Sequence, residues 1–90
     1  MGFGMPTISE FFGILILMYY NDHAPPHFHA RYGEHEALIQ ILPIGLLKGN
    51  LPPRALSLVI EWAQIHQQEL MDDWNYASGN KKLHKIPPLN

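Results

Sequence analysis

The chain contains no cysteine. That absence excludes disulfides and thiolate metal sites, fits a reducing compartment, and leaves histidine, aspartate and glutamate to hold any metal. Charge is sparse as well, with 16% charged residues and a net charge of -2 when the histidines are neutral. No basic footprint marks nucleic acid or an anionic membrane; a nucleic-acid surface would have to be assembled from Lys81, Lys82, Lys85 and Arg31. Long apolar runs are missing too. The most apolar stretch, Ile14 to Tyr20, is far shorter than the roughly 20 residues of a membrane helix. Met1 to Met5 has neither a basic region nor a following small-residue cleavage site, so no secretory signal is read there and the protein is expected in the cytoplasm. Met5 is a candidate natural start, which would make residues 1–4 an N-terminal extension of a domain over residues 5–90. Gly-rich phosphate loops and His-Glu-x-x-His are absent, and Ser9, Ser57 and Ser78 lie in no nucleophile-elbow context, so nucleotide hydrolysis and nucleophilic catalysis gain no support.

What is present is a concentration of histidine. Asn21-Asp22-His23-Ala24-Pro25-Pro26-His27-Phe28-His29-Ala30-Arg31-Tyr32-Gly33-Glu34-His35-Glu36 holds four of the six histidines, a stiff Pro-Pro pair and a turn. Gly33-Glu34 stands between two alternating runs, His27 to Tyr32 and His35 to Ile41, and glycine at the first central position suits a two-residue type II′ hairpin. Tyr32 then faces His35, Arg31 faces Glu36, His29 faces Leu38 and His27 faces Gln40. Period-two alternation puts Phe28, Ala30, Tyr32, Ala37, Ile39 and Ile41 on a core face, and His27, His29, Arg31, Glu36, Leu38 and Gln40 on a polar one. Arg31 and Glu36 are directly opposed as a cross-strand ion pair.

The rest of the chain predicts a single α+β domain: an antiparallel meander of three or four strands packed on one long C-terminal helix. Pro6 to Glu10 reads as a lead-in, Gly13 as a break, and Ile14 to Tyr20 as a strand apolar on both faces. Pro43-Ile44-Gly45 reads as a turn before a short fourth strand, Leu46 to Lys48. Pro52-Pro53 suits a helix start, and Arg54 to Tyr76 has no Gly or Pro to interrupt it. At 100° per residue Leu56, Ile60, Ala63, Gln67, Leu70 and Trp74 form one seam, whereas Leu58, Trp62 and Ile65 point elsewhere. Either the C-terminal tail or another chain must cover that second group. A chain of 90 residues builds a modest core, so a homodimer through Leu58, Trp62 and Ile65 is expected.

His27 and His29 on one strand face have a metal-ligand spacing. Asp22 and His23 can swing in from the preceding loop to complete a His/carboxylate set suited to zinc, manganese or iron. The alternative is a set of half-exposed polar residues, bonded to Gln40 and nearby backbone, that forms a contact surface from Asp22, His23, His27, His29, Arg31 and Glu36. His66 and Glu69, three residues apart, share one flank of the helix.

Several segments carry a family likeness. Pro6-Thr7-Ile8-Ser9, Met18-Tyr19-Tyr20-Asn21-Asp22-His23-x-Pro25-Pro26-His27-Phe28-His29-x-x-Tyr32-Gly33, Gly49-Asn50-Leu51-Pro52-x-Arg54-Ala55-Leu56, and Glu61-Trp62-Ala63 through His66-x-x-Glu69-Leu70 to Trp74 together resemble the prokaryotic family catalogued as domain of unknown function 4160. The likeness spans nearly all of residues 5–89. It implies a small single-domain protein, commonly encoded beside another small protein of the family catalogued as domain of unknown function 2442, in an arrangement similar to toxin–antitoxin pairs. It carries no catalytic residue across. Pro43-Ile44-Gly45-Leu46 is more apolar than the turn the family leads one to expect. Two functions follow as expectations: one component of a two-gene module acting through protein–protein contact, or a metal-dependent hydrolase or nuclease built on Asp22, His23, His27 and His29, with zinc or manganese.

Overall fold

The computed structural model describes residues 6–90; the expected extension and Met5 lie outside the described residues. Five strands come first, β1 (Thr7–Phe11), β2 (Ile14–Leu17), β3 (His27–Tyr32), β4 (His35–Ile41) and β5 (Ile44–Gly49), followed by α1 (Pro53–Ile65) and α2 (Gln67–Ser78). The strands form one antiparallel meander in chain order. The class is therefore α+β. Five strands replace the three or four expected, and two helices replace the single long one.

The additional strand comes from the Pro6 to Glu10 segment, which is paired rather than a lead-in. Phe12 and Gly13 turn it onto β2 with φ of 49° and 77°, the positive pair of a type I′ hairpin. Phenylalanine is so rare in that conformation that only Gly13 stands out in the sequence. At its other end β2 stops at Leu17 and not at Tyr20, because Tyr19 to Pro26 leaves the sheet as a loop. The third turn is Leu42-Pro43, with β5 beginning at Ile44. Helix α1 gives way to α2 at His66 (φ -113°, ψ 25°), with no Gly or Pro to announce it.

The central hairpin has the expected register, from Tyr32 opposite His35 out to His27 opposite Gln40. Gly33 carries φ of 60°, as a type II′ turn requires at its first central position. A side chain there meets open space, so Gly33→Val should cost only backbone strain, about 1–3 kcal/mol. Thermal unfolding checks this, and an unchanged midpoint would contradict the turn type. Phe28, Ala30, Ala37, Ile39 and Ile41 are buried in the core, whereas Tyr32, at the rim, is 39% exposed.

The helices bury Ala55, Val59, Trp62 and Ala63 from α1 and Leu70, Asp73, Trp74 and Ala77 from α2. This face is turned about 60° from the expected seam, at 100° per residue. Leu56 and Ile60 are half-buried, while Trp62 is fully enclosed and packs against Phe11 and Phe28. Its indole N–H donates to Pro87 O at 2.8 Å. The C-terminal tail is what covers Trp62, so the expected dimer face loses its central residue. Of the other two, Leu58 packs half-buried on the core and Ile65 is 61% exposed.

The tail is held at several further points. Ile86 N–H donates to Ile8 O, Lys85 Nζ to Thr7 O, and His84 N–H to Asp73 Oδ1. Asp73 is 1% exposed, and its Oδ2 is buried without a partner. Burial pushes its pKa up, outweighing the His84 N–H bond and the His84 charge. The folded chain thus binds this proton more tightly than the unfolded chain. Stability is fullest below the ordinary carboxylate value of 3.8 and is lost as pH rises through the raised folded value. Asp73→Asn keeps the acceptor for His84 N–H and removes the buried charge, so it should gain about 1–3 kcal/mol at neutral pH. That gain should vanish near pH 4; a loss of stability at pH 7 in chemical unfolding would contradict it.

Candidate metal centre

Three side chains converge where the loop after β2 folds back over the polar face of β3. Asp22 Oδ2 lies 3.0 Å from His27 Nε2 and 3.1 Å from His29 Nε2. One ligand atom from each of the three residues lies within 4.8 Å of the other two. The strand supplies the pair because residues two apart share a face. Asn21, in the left-handed region at φ 53°, turns the chain so that Asp22 reaches both imidazoles. Asn21 is itself anchored to the end of α2, its Nδ2 donating to Asn80 Oδ1 at 2.9 Å and its backbone N–H to Ala77 O.

The outer face of each imidazole is already committed. His27 Nδ1 lies 2.8 Å from Pro25 O, and His29 Nδ1 lies 3.0 Å from Glu36 Oε2. A carbonyl and a carboxylate only accept, so both Nδ1 atoms carry the hydrogen and donate. Both Nε2 atoms then face Asp22 Oδ2, the side on which a proton or a metal ion can be shared. Outward Nδ1–H donation to a carbonyl or carboxylate is also the arrangement that orients metal-binding histidines. Arg31 Nε lies 3.6 Å from Glu36 Oε1, and Arg31 Nη2 donates to Tyr19 Oη, whose ring packs 4.2 Å from that of His29. The ring of Trp74 packs 5.3 Å from His27.

His27 and His29 are 4% and 8% exposed, not half-exposed as the polar-face pattern suggests. Tyr19, Asp22 and Trp74 cover them, and the alternation of β3 cannot reveal covering groups that come from elsewhere in the chain. Burial pushes the pKa of Asp22 upward, but the hydrogen bond from His29, the His23 backbone N–H and the charge of His27 outweigh it, leaving the carboxyl below its usual range. His23 itself is exposed and contributes its backbone N–H to Asp22 Oδ1, so the structure brings together Asp22, His27 and His29 and leaves the His23 ring out. Arg31 and Glu36 join the network behind His29. His66 and Glu69 bond to each other at 2.5 Å. Sequence reasoning missed the roles of Tyr19, Pro25 O and Trp74; Tyr19 stood beside the histidine string, but nothing local marked Trp74.

The fold and the cluster define a small α+β domain with a two-histidine, one-carboxylate centre on one sheet face. The chain belongs to the family described as Domain of unknown function (DUF4160), whose match covers residues 13–75 and so includes all three converging residues. No curated protein and no solved structure matches the chain. Among the described residues, no helix is long and apolar enough to cross a membrane.

Proposed function

We propose that the protein binds one divalent metal ion through Asp22, His27 and His29, and that this centre performs metal-dependent hydrolytic chemistry. The observation that carries the reading is the convergence of Asp22, His27 and His29, with one ligand atom from each within 4.8 Å of the others, while both Nδ1 atoms face acceptors on the outside. Ligands about 2.1 Å from an octahedral ion stand about 3.0 Å apart at right angles. The Oδ2–Nε2 separations of 3.0 and 3.1 Å are close to that spacing. Two nitrogens and one oxygen suit zinc, manganese or ferrous iron, and three protein ligands leave positions for water and substrate, as catalytic sites do. A bound ion would acidify such a water.

The contact-surface reading of the same segment draws less support at its centre, since the His27 and His29 rings are buried and offer little to a partner, while His23, Arg31 and Glu36 around them stay accessible. Membership of a two-gene, toxin–antitoxin-like module is the setting that the family likeness implies, and the metal centre is the chemistry we assign within it. Calorimetric titration of tag-free protein with zinc and with manganese tests the proposal. Uptake of one ion per chain, lost in His27→Ala/His29→Ala, is expected. Titrations indistinguishable between parent and variant would remove it.

A further inference from the structure

A second feature lies at the end of the sheet where the β1–β2 and β3–β4 turns meet the start of α1. Phe12, Tyr32, Arg54, Ala55 and Leu58 line a cavity of about 200 Å³. Phe12 sits at φ 49°, a conformation that asparagine or glycine adopts at less cost. Phe12 is 58% exposed, so this chain's own core offsets little of that strain, and residues held in strained backbone conformations gather at functional sites. Tyr32 beside it is 39% exposed.

The electrostatics of the same groove are one-sided. Helix α1 starts at Pro53 with no side-chain cap and no acidic residue in its first turn, leaving the positive end of its dipole uncompensated. Arg54 is exposed there and has no ion-pair partner among the described residues. About 200 Å³ falls below the roughly 300–1,000 Å³ of small-molecule pockets and suits one anchoring side chain. Aromatic residues and arginine are also the types that carry binding energy at protein contacts.

We propose that this groove docks a peptide segment of a protein partner, with one aromatic or leucine anchor beside Phe12, Tyr32 and Leu58 and a neighbouring carboxylate at Arg54. The carboxylate follows from charge complementarity, because Arg54 and the helix start supply positive potential and nothing in the groove balances it. The metal reading is not needed for this surface.

The test uses the whole chain, labelled with nitrogen-15, and the probe acetyl-Glu-Phe-Leu-Asp-amide. Saturable amide shifts at Gly13, Ala55 and Leu58 are expected, at least tenfold weaker with acetyl-Lys-Phe-Leu-Lys-amide. Arg54→Glu should reverse that preference. Phe12→Asn should weaken the acidic peptide about tenfold while the melting temperature stays level or rises, an outcome that a purely structural Phe12 would not give. Absent saturation, equal response to both peptides, or joint loss of stability and binding in Phe12→Asn would each overturn the proposal. Shifts at the groove on concentrating the protein alone would assign it to a second copy and overturn it likewise.

Discussion

Replacing His29 with alanine is expected to weaken zinc or manganese binding at least a hundredfold and to abolish the stabilisation that the metal confers. With metal at a hundredfold excess over its dissociation constant, mass action adds about 2.7 kcal/mol to the parent. The variant keeps only Asp22 and His27, too few ligands to hold the ion at that concentration. Glu36→Gln should weaken binding by a smaller factor, about 10- to 100-fold, because it alters the group behind the ligand and not the ligand itself. Acid should weaken binding through the imidazoles, since metal ligands must be deprotonated. Asp22 sets no such limit. Its depressed pKa gives stability that is fully present above the ordinary carboxylate value of 3.8 and is lost only as pH falls through the lower folded value. Melting curves with and without metal, from pH 8 to pH 5, check the series; an equal metal-induced shift in parent and His29→Ala would contradict it.

Gly49→Ala should cost about 3–5 kcal/mol, the range reserved for a few named mechanisms. Gly49 ends β5 at φ 73°, and a Cβ there would stand 2.3 Å from Glu36 O and 3.3 Å from Ala37 Cα. Those neighbours are backbone of β4 and cannot swing aside like a side-chain tip. Glu36 O also accepts the N–H of Asn50, so relieving the clash breaks the end of the β4–β5 ladder. Gly33→Ala is the control, with φ of 60° but open space around the added carbon; it should cost about 1–2 kcal/mol. Since the Glu36 carboxylate holds His29 Nδ1, Gly49→Ala should loosen the metal centre as well. Urea unfolding of both variants decides the matter, and equal midpoints would contradict the role given to Glu36 O.

The parts of this fold legible in the sequence are those governed by local rules. The β3–β4 hairpin was legible pair by pair, because Gly33 names its turn and alternation names its faces. The β1–β2 hairpin was hidden, because its turn places Phe12 where asparagine is usual. The helix break at His66 carries no Gly or Pro, and the buried helical face turns toward Trp62 because one large indole, enclosed by Pro87 and its neighbours, outweighs two aliphatic residues on the adjacent flank. At the centre, His27, His29 and Asp22 could be singled out from spacing and residue type. The exclusion of the His23 ring could not, since it depends on the backbone turn at Asn21. Nor could the shielding by Trp74, which approaches His27 from α2, or the Pro25 carbonyl that fixes the His27 tautomer.

X-ray absorption at the zinc edge of protein reconstituted with one equivalent of the ion tests the central claim most directly. Two imidazole nitrogens and at least one oxygen at about 2.0–2.2 Å are predicted, with the imidazole contribution lost in His27→Ala/His29→Ala. A spectrum of hydrated zinc, or an imidazole contribution unchanged in that variant, would contradict the account.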